Sequence, residues 1–126
     1  MERPDTIAAP LPPAAPRLER LKKRREFLRA AARGKRAARP GLVLQALPVA
    51  DASLRLGFTV TKKIGNAVVR NRARRRLKEA ARLTLPSMRL SGWDLVLIGR
   101  DATAERPFPL LIEDLRAALR QTGVAP

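Results

Sequence analysis

The clearest pattern in this chain is a strict alternation of apolar and polar residues near its middle. The apolar positions are Leu54, Leu56, Phe58 and Val60, and the positions between them are Arg55, Gly57, Thr59 and Thr61. Successive side chains of a strand point to opposite faces of a sheet, so this segment predicts a strand with one packed face. The apolar run Gly41–Leu47, bounded by prolines, predicts a second strand. The short loop between the two favours an antiparallel hairpin.

Apolar residues at spacings of three and four predict the helices. One stripe runs along Val69, Ala73, Leu77, Ala80 and Ala81, behind Asn66 as a candidate N-cap, and predicts a helix that ends near Leu85. A second helix is predicted over Leu18–Arg33, with Leu21, Leu28 and Ala32 as its buried face and Gly34 as its stop. Apolar positions from Phe108 to Leu119 predict a third helix that stops at Gly123.

The run Asp94–Gly99 is continuously apolar after its first residue, which is typical of a strand covered on both faces. Residues 1–16 hold five of the eleven prolines, and we expect a flexible tail there. The remainder, residues 17–126, is long enough for one domain with its own core. Helices and strands in this order predict an α+β fold.

The distribution of charge predicts a small domain with a surface that binds a polyanion. The chain has 27 basic and 11 acidic residues, a formal net charge of +16. Residues 17–39 and 55–82 each carry a net +9, whereas residues 83–126 are neutral overall. Solubility alone does not require two such blocks. The helix at 66–83 offers mostly Val and Ala opposite its basic face, so nucleic acid is favoured over a membrane surface.

The missing residue types narrow the chemistry. The sequence contains no His and no Cys, which removes the usual general base, the thiol nucleophile and the commonest metal ligands. A self-sufficient ribonuclease or a zinc-binding module is therefore disfavoured. The lack of cysteine fits a reducing compartment, and with no apolar run of membrane-spanning length we expect a cytoplasmic protein.

The helix that starts after Asn66 carries the strongest functional signal. Arg70, Arg74 and Lys78 follow one another at i+4 spacing, and Glu79 is the only acid in the helix. A solvated face is the ordinary interpretation of a basic helix, but such faces alternate acids and bases to gain stabilising pairs. Planar guanidinium groups match phosphate oxygens in pairs and also stack on bases, which favours RNA.

Other candidates have ordinary alternatives. Lys62, Lys63 and Gly65 precede free helix amides, a geometry suited to an anion or simply a strand-to-helix turn. Phe27 is interpreted equally well as a core residue or as a base-stacking residue. Trp93 is interpreted as a packing residue. Four carboxylates could suggest a metal site, but two of them flank a helix start, where acids favour the dipole, so we favour helix capping; the four are Asp101, Glu105, Glu113 and Asp114.

Residues 57–82 read GFTVTKKIGNAVVRNRARRRLKEAAR and closely resemble the protein subunit of bacterial ribonuclease P. The family signature surrounds Arg-Asn-Arg, here Arg70-Asn71-Arg72. The similarity extends to RLKKRREFLRAAARGKR as a first helix, WDLVLIGR as a last strand and residues 108–122 as a closing helix. It leaves out only the proline-rich tail.

The resemblance implies a two-layer α+β sandwich in the order α-β-β-β-α-β-α. It also implies a small four-stranded sheet with an unusual left-handed βαβ crossover. Physical rules alone would favour a right-handed crossover. Because the pattern shows only three strands, the additional strand is expected near Lys35–Pro40.

The resemblance also implies the activity. In this family the holoenzyme removes the 5′ leader of precursor tRNA by Mg²⁺-dependent phosphodiester hydrolysis, with the metals and catalytic groups mainly on the RNA subunit. This chain is then expected to supply no catalytic residue and no metal ligand, and its partners are the catalytic RNA and precursor tRNA. No membrane and no obligate protein partner are expected.

Positions carried over from the family form two sets. The set expected to face the catalytic RNA is Lys62, Lys63, Asn66, Arg70, Asn71, Arg72, Arg74, Arg75 and Arg76. The set expected to face the precursor-tRNA leader, in a cleft between the first helix and the sheet, is Phe27, Lys23, Arg55, Thr59 and Thr61. Two family aromatics are replaced here by Ala31 and Gln45. Stacking is worth about 1–3 kcal/mol per base, so leader binding is expected to depend more on cations.

Two other functions remain open from the residues alone. A ribosomal protein or general RNA chaperone would also need a basic face, although not this particular Lys-Lys-x-Gly-Asn turn. A stand-alone nuclease would have to cleave RNA without an RNA subunit.

Overall fold

A computed structural model describes residues 18–126, so the predicted tail at residues 1–16 lies outside the described part. The strands are β1 Leu18–Arg20, β2 Lys35–Arg39, β3 Leu42–Pro48, β4 Leu54–Thr59 and β5 Trp93–Gly99. The helices are α1 Arg24–Arg33, α2 Ala67–Thr84 and α3 Phe108–Gln121, with short 3₁₀ turns at Lys62–Ile64 and Pro86–Met88. The predicted α+β class is confirmed.

Within residues 18–126, five strands form one mixed sheet in the order β1-β4-β5-β3-β2. The four-strand expectation missed β1, a short edge strand parallel to β4. The additional strand expected near Lys35–Pro40 is confirmed as β2, antiparallel to β3. Helix α2 connects β4 to its parallel neighbour β5, and the hand of this crossover stays a prediction.

The predicted hairpin between β3 and β4 is wrong. Strand β5 lies between them, antiparallel to β3 and parallel to β4. Its middle residues, from Asp94 to Leu97, are all buried, because the centre of the sheet is covered on both faces. A strand that is apolar on both faces is stabilised most in that position.

The first helix is shorter than predicted. Residues 18–20 pair with β4, and the Leu21 N–H donates to the Leu56 carbonyl at 2.8 Å. Helix α1 begins after Lys23, where the Glu26 carboxylate accepts the backbone N–H groups of Lys22 and Lys23. Good helix formers thus adopt a strand where a sheet edge offers hydrogen bonds, since tertiary pairing overrides a weak local propensity.

Two hydrophobic clusters occupy the two faces of the sheet. Helices α2 and α3 cover one face in the larger cluster, where Leu77 and Leu115 meet β5 residues such as Leu95. Helix α1 covers part of the other face, where Ala30 and Phe27 pack with Val96 and Leu47. The predicted inner face of the first helix was wrong at Leu28, which is 54% exposed, and at Ala32, which is also exposed, whereas Leu21 is buried as predicted. The open remainder of this face, beside α1, positions the candidate site.

Candidate RNA interface

The turn from β4 into α2 presents two lysines at a helix start. Lys62 and Lys63 are exposed in the 3₁₀ turn, and Gly65 follows with a positive φ of 152°. The Asn66 side chain accepts the Val69 N–H at 3.0 Å, which confirms the predicted N-cap. Glycine is favoured at such a φ because it has no Cβ. The turn therefore fixes the start of α2, and within residues 18–126 neither ammonium group is engaged in an ion pair, so both can meet an anion.

The polar side chains of α2 lie on two flanks and an outer face. The buried stripe, centred on Ala73 and Leu77, packs against the sheet. Asn71 and Arg75 lie on the exposed outer face. Of the remaining cations, Arg70, Arg74 and Lys78 lie on one flank and Arg72 and Arg76 on the other. Arg82, in the last turn, pairs with Glu79 at 2.6 Å.

The flank formed by Arg72 and Arg76 is tied to the segment before α3. Arg72 Nε donates to the Ala104 carbonyl at 2.8 Å. Arg76 Nη2 donates to the Arg106 carbonyl, and its guanidinium carbon lies 5.7 Å from the centroid of the Phe108 ring. The sequence predicted one uniform cationic set, but these two arginines also join α2 to α3. Their remaining donors border a depression of about 450 Å³ that includes Arg75.

The opposite flank of α2 borders a cavity of about 500 Å³ at the end of β4. Its lining combines aromatic, hydroxyl and cationic side chains: Lys22, Arg24, Phe27, Phe58, Thr59, Val60 and Arg74. Arg74 also donates to the Asn71 side chain at 3.0 Å. The cavity therefore joins one residue of the catalytic-RNA set to two residues of the leader set.

Cations crowd together beside this cavity. The Arg20 guanidinium carbon and the Lys78 Nζ lie 5.8 and 6.0 Å from the centroid of the Phe58 ring. Burial, followed by repulsion from Arg20 and Arg74, lowers the pKa of the Lys78 amine below its ordinary value. A bound anion would relieve that repulsion.

Phe58 is a functional candidate that the sequence analysis missed. Alternation assigned it to the packed face of β4, and one side of it does contact the main core. The ring is nevertheless half-buried and lines the cavity. The alternation gave no signal of this second role, because it assigns a residue to one face of the sheet and does not say how completely that face is covered.

Phe27 lies against Gly57 on the sheet face beside α1. A Cβ at Gly57 would come within 2.8 Å of the Phe27 Cζ and closer still to its Cε1. The glycine thus makes room for the ring, which is half-buried. Phe27 both packs and lines the cavity, so the two interpretations offered by the sequence combine.

The rest of the leader set is dispersed around that cavity. Arg55 donates through Nε and Nη2 to the two carboxylate oxygens of Asp94, at 2.9 and 2.7 Å, and through Nη1 to Glu26 at 2.6 Å. Lys23 and Arg55 line a neighbouring depression of about 410 Å³. Thr61 is exposed at the start of the 3₁₀ turn and lines neither space.

The contacts of Arg55 form a partly buried ion-pair network that holds α1 on the sheet. The Asp94 side chain is fully buried, and hydrogen bonding to it raises the pKa of Arg55. The backbone N–H groups of Lys23 and Lys22, with help from Arg55, lower the pKa of Glu26 from 4.5 to about 2. Arg55 is therefore a positioning residue in this arrangement, and its guanidinium is largely occupied.

The predicted capping role of the acids near α3 was wrong. Pro107 occupies the N-cap, and the first turn of α3 has no acid. Asp114 lies further along the helix, is 4% exposed, and accepts the Gly41 N–H at 2.9 Å and Arg106 Nε at 2.5 Å. No three acidic side chains in residues 18–126 are grouped closely enough to hold a metal ion together. The predicted packing role of Trp93 is confirmed by its contact with the main core.

Across the described part of the chain, no helix is both long enough and apolar enough to span a membrane. Fold and site together define a small α+β protein whose cationic helix borders an aromatic cavity, an arrangement suited to a polyanion with bases.

Comparison with known proteins gives the family. The family model described as Ribonuclease P matches residues 15–123. Ribonuclease P protein components from Gluconacetobacter diazotrophicus and Paramagnetospirillum magneticum are 60% and 54% identical to this chain. The first alignment covers 87% of this chain and 96% of the relative, and the second covers 86% of each.

Solved structures agree with the sequence relatives. The RNase P protein from Thermotoga maritima has a TM-score of 0.70 at 29% identity, over 82% of this chain and 96% of that chain. An RNase P protein structure from Staphylococcus aureus has a TM-score of 0.71 at 26% identity, over 85% and 97% of the two chains. The chain belongs to the ribonuclease P protein component family.

Proposed function

We propose that this protein is the protein subunit of a ribonuclease P holoenzyme. It binds the catalytic RNA and the 5′ leader of precursor tRNA, and it assists hydrolytic removal of the leader to give the mature tRNA 5′ end. Mg²⁺ and the catalytic groups are assigned to the RNA subunit, as the family resemblance implies. The protein then works in the cytoplasm with its two RNA partners.

The observation that carries this proposal is the junction between α2 and the aromatic cavity. The outer face of α2 offers Arg75 and Asn71 to a folded RNA, and the turn before it offers Lys62 and Lys63. Arg74 on the adjoining flank lines the cavity together with Phe27. One RNA bound along α2 and a single strand held in the cavity would meet at this helix.

The protein's contribution is positioning rather than bond cleavage. Guanidinium groups on α2 hold phosphate oxygens through paired hydrogen bonds. The Phe27 ring gives an unpaired base a stacking surface, and Thr59 adds a hydroxyl at the same cavity. Holding the leader beside the bound RNA lowers the entropy cost of placing the scissile phosphate, which is how a subunit without catalytic groups raises the rate.

The direct test is cleavage of a 5′-labelled precursor tRNA at low Mg²⁺ concentration. Three reactions are compared: the protein alone, a bacterial ribonuclease P RNA alone, and the two together. Leader release that depends on the mixture supports the proposal. Cleavage by the protein alone would indicate a nuclease, and no stimulation of a competent RNA would favour a general RNA chaperone.

The two sides of α2 supply a matched pair of variants. Arg70→Gln with Arg75→Gln should weaken binding of the catalytic RNA and reduce the slope of log K against log salt by about 0.7–0.9 per lost phosphate contact. Arg72→Gln with Arg76→Gln removes the same charge but also the bonds to the segment before α3. This second variant should lower the thermal stability of the free protein more than the first.

A further inference from the structure

A second cationic cavity lies on the far side of α3, beside the β2 edge of the sheet. It has a volume of about 520 Å³. Four guanidinium groups surround it, from the end of β2, the segment before α3 and the outer side of α3: Arg39, Arg106, Arg116 and Arg120. The sequence analysis treated residues 83–126 as electrically neutral, so the cluster appears only when the fold brings Arg39 to α3.

The carboxylates at this cavity do not neutralise the arginines. Asp114 is satisfied by Arg106 and by the Gly41 N–H. Arg116 and Arg120, one helical turn apart and exposed, form no ion pair with any residue from 18 to 126. Among the acids that line the cavity, Glu113 is exposed and remains to offset them.

Arg39 adds an unused donor. Its Nε atom is buried and has no hydrogen-bond acceptor among the described residues. Arg100, which does not line the cavity, donates through Nη1 to the backbone carbonyl of Arg39 at 2.8 Å and helps to hold this residue in place.

The lining indicates the ligand class. Apart from the arginines and two acids, the cavity wall is Pro40 and Ala117, with no aromatic side chain. A base or nucleoside would find no stacking surface there, whereas a phosphodiester group matches the planar donor fork of arginine. The site therefore suits a sugar-phosphate backbone whose bases face away.

The position of the cavity selects between the two RNAs. Helix α3 packs beside α2 on the same face of the sheet, so a large folded RNA lying along α2 can continue across α3. The Phe27 cavity lies near the β1 edge, at the other side of the sheet. A single-stranded leader held there would have to cross the helix layer to reach Arg116.

We propose that the Arg39, Arg116 and Arg120 cluster is a second binding site for the backbone of the catalytic RNA. It would act in addition to α2. This inference rests on the proposed function, and it predicts at least two phosphate contacts that the α2 segment does not supply.

The test measures binding of the catalytic RNA alone by Arg116→Gln with Arg120→Gln, from 50 to 200 mM salt. The charge-matched control is Arg33→Gln with Arg89→Gln, two exposed arginines at other places in the fold. Two lost contacts reduce the log-log slope by about 1.4–1.8. Over this fourfold range of salt, wild type should therefore weaken about 7- to 12-fold more than the cavity variant.

Each outcome decides a different question. The control should keep the wild-type slope, and Arg39→Gln alone should reduce it by about 0.7–0.9. A cavity variant with the same slope as the control overturns the inference while leaving the proposed function intact. A defect confined to precursor tRNA binding by the assembled holoenzyme also overturns it, since the contact would then be to the substrate. Failure of the wild-type protein to bind catalytic RNA would overturn both proposals.

Discussion

Replacing Gly57 by alanine tests how the position of the Phe27 ring affects the cavity that we propose as the binding site of the leader. The backbone of Gly57 is not in the left-handed region, so alanine is tolerated there by the main chain. Its methyl group, however, would lie 2.8 Å from Phe27 Cζ and 3.1 Å from Leu21 Cδ1. The ring is the far end of a flexible side chain, and we expect it to move outward.

The expected change in the free energy of unfolding follows from the burial that the Phe27 ring loses. Full burial of a phenylalanine side chain is worth about 1.5–3 kcal/mol, so displacing a half-buried ring costs about 1 kcal/mol. Overpacking that is not relieved adds to this, within the usual range of about 1–3 kcal/mol. We therefore expect Gly57→Ala to lower the free energy of unfolding by about 1–3 kcal/mol.

Phe27→Ala provides the matched background. Without the ring, the nearest atom to the new methyl group is Leu21 Cδ1, at 3.1 Å. An alanine also restricts the unfolded chain relative to glycine, which stabilises the folded state by about 0.4–1 kcal/mol. Gly57→Ala should then be close to neutral, which gives a coupling energy of about 1–3 kcal/mol between the two positions.

Urea unfolding followed by the fluorescence of Trp93, the only tryptophan, measures the four proteins of this cycle. A parallel assay compares binding of leader-bearing precursor tRNA with binding of mature tRNA by the assembled holoenzyme. Gly57→Ala should weaken precursor binding selectively. Equal costs of Gly57→Ala in both backgrounds would refute the packing argument, and equal losses for both tRNAs would refute the role of Phe27 in leader binding.

Three further predictions concern the elements that support the site. Asp94→Ala leaves Arg55 without its buried partner and should cost about 3–5 kcal/mol in urea unfolding, whereas an unchanged midpoint would show that the pair is not formed. Because the folded pKa of Glu26 is lowered to about 2, its contribution to stability is present above pH 4.5 and lost as the pH falls from 4.5 towards 2. The stability gap between wild type and Glu26→Gln should accordingly narrow over that window, and a constant gap would contradict the lowered pKa of Glu26. Asn66→Ala removes the N-cap and should lower unfolding stability by about 1 kcal/mol, with Asn66→Asp as the conservative control.

The local pattern predicted most of the elements but not their neighbours. Alternation located β4, and the Asn66 cap located the start of α2, because both signals are contained in a few adjacent residues. The order of strands depends on which strand must be covered on both faces, and here that strand is β5. Its parallel neighbour β4 lies nearly forty residues earlier in the chain, where Leu54 pairs with Trp93. Such long-range pairing leaves no mark on the local sequence, so the hairpin prediction failed.

The same limit applies to the candidate site. The resemblance identified the α2 arginines as a group, yet Arg72 and Arg76 differ from Arg75 because the segment before α3 offers them carbonyl groups. The ion pair of Arg55 could not be predicted from neighbouring residues either, because its partner Asp94 is 39 residues away. Phe27 was left undecided between core and cavity, and the glycine beneath it shows why both descriptions apply.

The cations around Phe58 affect the stability of the protein before it assembles with RNA. Arg20 and Arg74 repel the Lys78 amine in the free chain, and an anion bound beside them, such as the RNA partner that we propose, would relieve that repulsion. Anything that binds only the folded state shifts the folding equilibrium towards it. Newly made copies without an RNA partner would unfold more often than assembled ones and would be degraded first. Electrostatic crowding on one helix flank would in this way couple the amount of protein to the amount of RNA without a dedicated regulator.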